Sequence, residues 1–176
     1  MKQYIETQRL ILRGWKEEDI PHFLQMNRNS KVMRYFLKKE LTDQESLDML
    51  QQIKGELDQY GYGVYVVERK EDHHFIGFIG FHHYQLNIDD SPEIEILWRI
   101  IPEAWGKGYA TEAASACLKY AKEVLKLESI YAFTSLPNKA SERVMQKIGM
   151  RWVKEFNHPQ VPPEHPLYRH VLYQAE

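Results

Sequence analysis

With one cysteine, Cys117, the chain can form no internal disulfide. No apolar run approaches the roughly 18 residues that a membrane span requires, and the first residues do not read as a secretory signal. A cytoplasmic protein without a membrane partner is expected. Neither sign of charge dominates: 23 Lys and Arg against 25 Asp and Glu leave a formal charge of −2, which gives no electrostatic case for nucleic acid. Internal repeats and low-complexity segments are also missing. Histidine is plentiful, at eight residues, yet His73-His74, His82-His83, His158, His165 and His170 follow no zinc spacing, so no metal is expected.

What is present suits one compact domain over residues 1–176, with 43% hydrophobic residues to build its core. Period-2 and period-3.6 patterns alternate along it. Strands are predicted at Arg9 to Gly14, Gly63 to Arg69, Phe75 to Phe81, Glu93 to Ile101, Ser129 to Thr134, Arg151 to Phe156 and Tyr168 to Tyr173. Helices are predicted at Lys16 to Asn27, from about Asp43 to Tyr60, from Ala110 onward and at Ala140 to Ile148, with a short turn or helix at Lys31 to Phe36. Thr42-Asp43-Gln44-Glu45 has the form of a capping box, which fixes where the second helix starts. The order implies an α/β fold, a mixed sheet with helices on both faces.

The stretch Trp105-Gly106-Lys107-Gly108-Tyr109-Ala110-Thr111-Glu112-Ala113 follows the apolar run Ile94 to Ile101 and opens an alanine-rich helix. Strand, glycine turn and helix start together make an anion site, because the first amides of a helix lack intrahelical partners and point outward with the positive end of the dipole. A P-loop is excluded, since Lys107 is not followed by a hydroxyl residue. The dinucleotide GxGxxG pattern is half met, Thr111 standing at its third glycine.

From Trp105 to Ala113 the chain reads WGKGYATEA, and it resembles the ribosomal-protein Ser/Ala N-acetyltransferase branch of the GNAT superfamily. Its loop departs from the superfamily's [QR]xxGx[GA] pattern only in placing Trp105 at the first position. Further matches are Thr7-Gln8-Arg9-Leu10-Ile11-Leu12-Arg13, Glu95-Ile96-Leu97-Trp98, and Asn138 through Met150. The resemblance implies the GNAT acyl-CoA N-acyltransferase fold, in which the central strands splay apart around acetyl-CoA, the cosubstrate. It implies that pantetheine pairs with backbone at Trp98, Arg99 and Ile100, and that pyrophosphate meets the amides of Gly106, Lys107, Gly108, Tyr109, Ala110 and Thr111. Asn138 falls where the family places a side-chain amide near the pantetheine arm. Relatives often dimerise, so a homodimer is a further implication.

Alternation puts Glu93, Glu95, Leu97 and Arg99 on one strand face and Ile94, Ile96, Trp98 and Ile100 on the other. Glu95 thus leaves the apolar side, and a carboxylate near a thioester suits deprotonation of an amine. The matching family position is a carboxylate with that role; the other reading is a solvated strand glutamate. By the same resemblance Ser141 is the acid that protonates the departing thiolate, though a serine in the first turn of a helix also serves local backbone donors. Other branches use a tyrosine seven residues after the asparagine, where Met145 stands here. Cys117 lies on an apolar helical stripe and reads as a small hydrophobe, so direct transfer without a covalent intermediate is expected. Residues 15 to 65 and the C-terminal strands would wall the acceptor site; the segment carries Trp15, Tyr35, Phe36, Tyr60, Tyr62 and Tyr65, some of which are core. Asp89, Asp90, Glu93 and Glu95 form an acidic cluster that would favour a cationic amine. A peptide or protein N-terminal amine, a small amine such as a polyamine or aminoglycoside, and a non-catalytic acyl-CoA-binding sensor all remain open.

Overall fold

The computed structural model describes residues 2–84, 86–88 and 93–175. Eight strands form one sheet: β1 (Gln3–Glu6), β2 (Leu10–Arg13), β3 (Val64–Arg69), β4 (His74–His83), β5 (Ile94–Ile100), β6 (Ile130–Ser135), β7 (Arg151–Asn157) and β8 (Arg169–Ala175). Their spatial order is β1-β2-β3-β4-β5-β6-β8-β7. Every pair is antiparallel except β5 with β6, which a helical crossover joins in parallel. Among the described residues four α-helices cover the sheet: α1 (Ile20–Arg28), α2 (Asp43–Tyr60), α3 (Tyr109–Tyr120) and α4 (Lys139–Lys147).

Alternation on the central strands assigns the helices to opposite faces. Phe78 of β4 meets Trp15 and Phe23, which anchor α1. Tyr65 of β3, paired with Ile79, is fully buried on the other face and senses Cys117 and Tyr120 of α3. The predicted capping box is formed: Thr42 Oγ1 accepts from the Glu45 amide at 3.1 Å, and Glu45 Oε1 accepts from the Thr42 amide at 3.0 Å. Gly61, at φ +76°, ends α2.

Several elements differ from the sequence reading. β1 was not expected, being four residues with no apolar alternation; it is held by pairing along β2. The helix expected from Lys16 begins as a short 3₁₀ turn, and α1 proper starts at Ile20 with Pro21 in its first turn. Lys31 to Phe36 takes the turn form that the sequence reading allowed, whereas α3 widens at Ala121–Leu125 into a π-type turn. β4 extends to His83, two residues past the predicted end.

Arg13 locks β2 to its surroundings. It is 5% exposed, donates to both Asp19 oxygens at 2.9 Å and pairs with Glu68 of β3. Such a buried pair tolerates no loss of one partner. Two glycines let the middle of the sheet close up. A Cβ on Gly80 would stand 2.0 Å from the Gly63 carbonyl oxygen, and one on Gly77 2.1 Å from that of Arg99. Gly80→Ala is therefore expected to cost about 3 kcal/mol through backbone displacement, read as a lower urea midpoint with the slope unchanged.

Candidate active site

β5 and β6 register at one point, Glu95 with Tyr131. Beyond it β5 continues to Ile100 paired only with β4, and β6 continues to Ser135 paired only with β8. Two parallel strands that part after one register pair leave a gap whose walls carry backbone donors and acceptors without a strand partner. Extended chain of a ligand with amide groups can pair there as a strand would. Trp98 and Ile100 turn their backbone toward the gap while Arg99 between them pairs with Phe78 of β4, and the glycine turn lies at the far end of the gap.

That turn is shaped by Gly106 and Gly108, at φ +74° and +81°. Gly108 caps α3, whose first internal bond runs from the Glu112 amide to the Gly108 carbonyl at 3.0 Å. The amides of Gly106, Lys107, Gly108, Tyr109, Ala110 and Thr111 have no acceptor among the described residues. Six unsatisfied donors at a helix N-terminus suit a pyrophosphate. The Trp105 indole donates to the Ile100 carbonyl at 2.8 Å and folds the turn back against the end of β5.

The opening match at residues 7 to 13 now has a physical meaning. Thr7 Oγ1 donates to Glu112 at 2.6 Å, the Arg9 amide and Nε donate to the same carboxylate at 3.0 and 2.7 Å, and Arg9 Nη1 reaches the Lys107 carbonyl at 2.9 Å. The Arg9 guanidinium also lies 4.3 Å from the centre of the Tyr109 ring. This clamp fixes the turn from outside and leaves its amides free. It escaped the sequence reading because its halves are about a hundred residues apart; the adjacency of the Arg9 and Glu112 matches in the fold was the only signal.

Glu95 is half-buried on the face covered by α1 and α2. Burial, and then the charge of Glu56 from α2, push its carboxyl up to about 8. No ion-pair or hydrogen-bond partner is found for it among the described residues. A carboxyl so placed is a proton acceptor of near-neutral strength, which separates it from a solvated strand glutamate. Arg99, on the same face, donates to Asn27 Oδ1 at 2.7 Å, and Asn27 Nδ2 donates to Ser46 at 3.0 Å. Its guanidinium lies between Phe36 and Phe78, at 4.5 and 5.1 Å, and burial holds it down to about 10. The Arg99 side chain thus ties α1 and α2 to β5, and its backbone pairs with β4.

Asn138 caps α4: Oδ1 accepts from the Ser141 amide at 3.3 Å and Nδ2 donates to Thr134 Oγ1 at 3.0 Å. The local capping task belongs to Asn138, and the Ser141 hydroxyl has no partner among the described residues. Cys117 is fully buried and its thiol is pushed up by desolvation, so it offers no nucleophile. Of the six aromatic residues in that segment, some of them expected to be core, Phe36 overlies Arg99. Tyr65 instead packs on Phe81, because β-alternation sends it to the α3 face; Tyr62, just before β3, also packs on Phe81, and Tyr60, the last residue of α2, stacks on His83 at 3.9 Å. Trp15 is core. Asp89 and Asp90 lie outside the described residues, and Glu93 is exposed. Sequence reading also missed Glu56 and His82, which face Glu95 from α2 and β4.

Two outcomes are expected. Arg9→Ala should weaken acetyl-CoA binding about tenfold in a calorimetric titration, as the turn loses its outer fastening. A carboxyl whose folded pKa stands above its unfolded value supports the fold while protonated, and that support is lost as pH rises through about 8. Glu95→Gln should therefore match the parent's thermal midpoint near about pH 4 and exceed it near about pH 9.

Residues 9–151 match the family model for the acetyltransferase (GNAT) domain. The uncharacterised N-acetyltransferase YoaA of Bacillus subtilis is 32% identical over 149 residues, 84% of this chain and 82% of that protein. An acetyltransferase of the GNAT family from Bacillus anthracis superposes with a TM-score of 0.79 at 28% identity, over 97% of this chain and 96% of that one. Spermidine N-acetyltransferase from Vibrio cholerae, solved with CoA and spermine, shares the fold at 18% identity and a TM-score of 0.74, over 96% of each chain. The parted strands, the open amide turn and a match over most of the chain agree: the protein belongs to the GNAT family of N-acetyltransferases.

Proposed function

We propose that the enzyme transfers the acetyl group of acetyl-CoA directly to a primary amine, and that the amine is a peptide or protein N-terminus. The desolvated carboxyl of Glu95, standing where β5 and β6 part, carries the reading. Pantetheine would lie along Trp98 to Ile100 with the pyrophosphate on the amides of Gly106 to Thr111, so the thioester comes to the inner end of the gap. An ammonium entering from the α1 and α2 face meets Glu95, loses a proton to it and attacks the thioester carbonyl as the free amine. Collapse of the tetrahedral intermediate breaks the C–S bond. Ser141, whose hydroxyl is uncommitted, protonates the thiolate and is itself reprotonated by the second proton that the former amine nitrogen gives up in becoming an amide; Asn138 holds the start of α4 and has one amide hydrogen left for the pantetheine arm.

The peptide acceptor is supported by the WGKGYATEA turn shared with the ribosomal-protein branch. One observation favours a small cationic amine instead: Glu56 and Glu95 approach each other on the acceptor face, a pairing of carboxylates that attracts a polycation. The solved V. cholerae relative takes such an amine.

Calorimetric titration with acetyl-CoA, with NADH and ATP as controls, is expected to give selective acetyl-CoA binding. Thiol release is then measured with a Ser-initiated peptide and with spermidine. Faster release with the peptide supports the reading; release with spermidine alone overturns the acceptor. Glu95→Gln should lose at least about a hundredfold in rate and keep acetyl-CoA affinity, as removal of a general base does.

A further inference from the structure

Acetylation of an ammonium group releases one net proton: the ammonium gives up two in becoming an amide, and the thiolate takes back one. A base that keeps its proton stops after one turnover. Glu95 is half-buried and has no hydrogen-bond partner among the described residues, so its proton needs a route outward.

The side chain beside it is His82. His82 and Glu95 are direct register partners on β4 and β5, which places their Cβ atoms on one face about 5 Å apart. His82 Nδ1 lies 2.8 and 3.0 Å from the two Glu56 oxygens, so the ring is oriented by α2 and Nε2 is its remaining nitrogen. The pair is not sealed: the side chains are 26% and 17% exposed. The other polar groups around Glu95 are committed or weakly basic. Tyr131 is its register partner on β6, Tyr84 lies past the end of β4, Arg99 on β5 is held by Asn27, and Glu93 is exposed.

We propose that His82, held by Glu56, relays to solvent the proton that Glu95 removes from the amine. The inference rests on Glu95 being the base. The steps balance: the amine N–H bond breaks as the Glu95 O–H bond forms; that bond breaks as the proton passes through an intervening water to His82 Nε2, the two side chains sharing no direct hydrogen bond; the imidazolium, stabilised by Glu56, then passes the proton to solvent. His82 acts through Glu95, so it is a positioning residue for the base and touches no reacting atom.

The test compares His82→Gln, Glu56→Gln and Glu95→Gln at low buffer concentration, with the faster of the Ser-initiated peptide and spermidine as acceptor. Gln at 82 keeps a hydrogen-bond donor for Glu56 and cannot carry a proton. Expected for His82→Gln is a fall of about tenfold or more in kcat, unchanged KM for acetyl-CoA, a shifted pH profile, and recovery as imidazole is added. Glu56→Gln should fall in the same direction by less. A parental kcat and pH profile in His82→Gln, or a loss equal at every pH that imidazole leaves untouched, overturns the relay. Should His82→Gln fail to fold by circular dichroism, Glu56→Gln carries the same comparison. An inactive Glu95→Gln beside an unaltered His82→Gln removes the relay and leaves the base; a fully active Glu95→Gln removes both.

Discussion

The parting of β5 from β6 is the constraint on which the rest of the molecule depends. A sheet gains by pairing every strand edge, and two parallel strands left side by side would zip together unless other contacts hold them apart. Here each strand is fully occupied on its outer side, β5 by β4 and β6 by β8. Gly77 and Gly80 let β4 seat closely against both neighbours, since any side chain at either position would meet a backbone carbonyl. With the edges thus fixed, the gap persists as part of the fold, and its inward-facing amides and carbonyls are available to a ligand.

The chemistry at the inner end of the gap follows from burial. A carboxyl on an open strand face would stay ionised well below neutrality and make a weak base. Covering it with α2, and setting Glu56 near it, raises its proton affinity toward neutrality, as the proposed role of base requires. The cost is stability at high pH, a trade common at catalytic positions. The buried chain Arg99–Asn27–Ser46 hangs the same two helices from β5, so the wall over Glu95 and the strand that bears it move as one body.

Local signals carried most of the architecture into the sequence. The capping box at Thr42, the glycine turn after an apolar strand and the alternation through β5 each depend on neighbouring residues, and each placed its element within about two residues. What depended on distant pairing did not show. β1 has no pattern of its own and exists because β2 offers it an edge. Which of the aromatics in residues 15 to 65 are core did not show either; for Tyr65 it took the register of β3 with β4. Glu95 could be chosen from alternation together with family resemblance, whereas Glu56 and His82 lie 39 and 13 positions away from it by number and only the sheet and α2 bring them alongside. Trp105 appeared as a departure from a pattern; its bond to the Ile100 carbonyl gives it a task that neither Gln nor Arg at that place would repeat in the same geometry.

The clamp of Thr7 and Arg9 on Glu112 and Lys107 also bears on how the chain acquires its shape. Those contacts span 98 to 105 residues. Loop closure over such distances is slow and comes after local helices and hairpins have formed. On a ribosome the first strand must wait, unpaired with its partner loop, until more than half of the polypeptide has followed it. The glycine turn is thus among the last features to become rigid, and its final shape waits on residues about a hundred positions away.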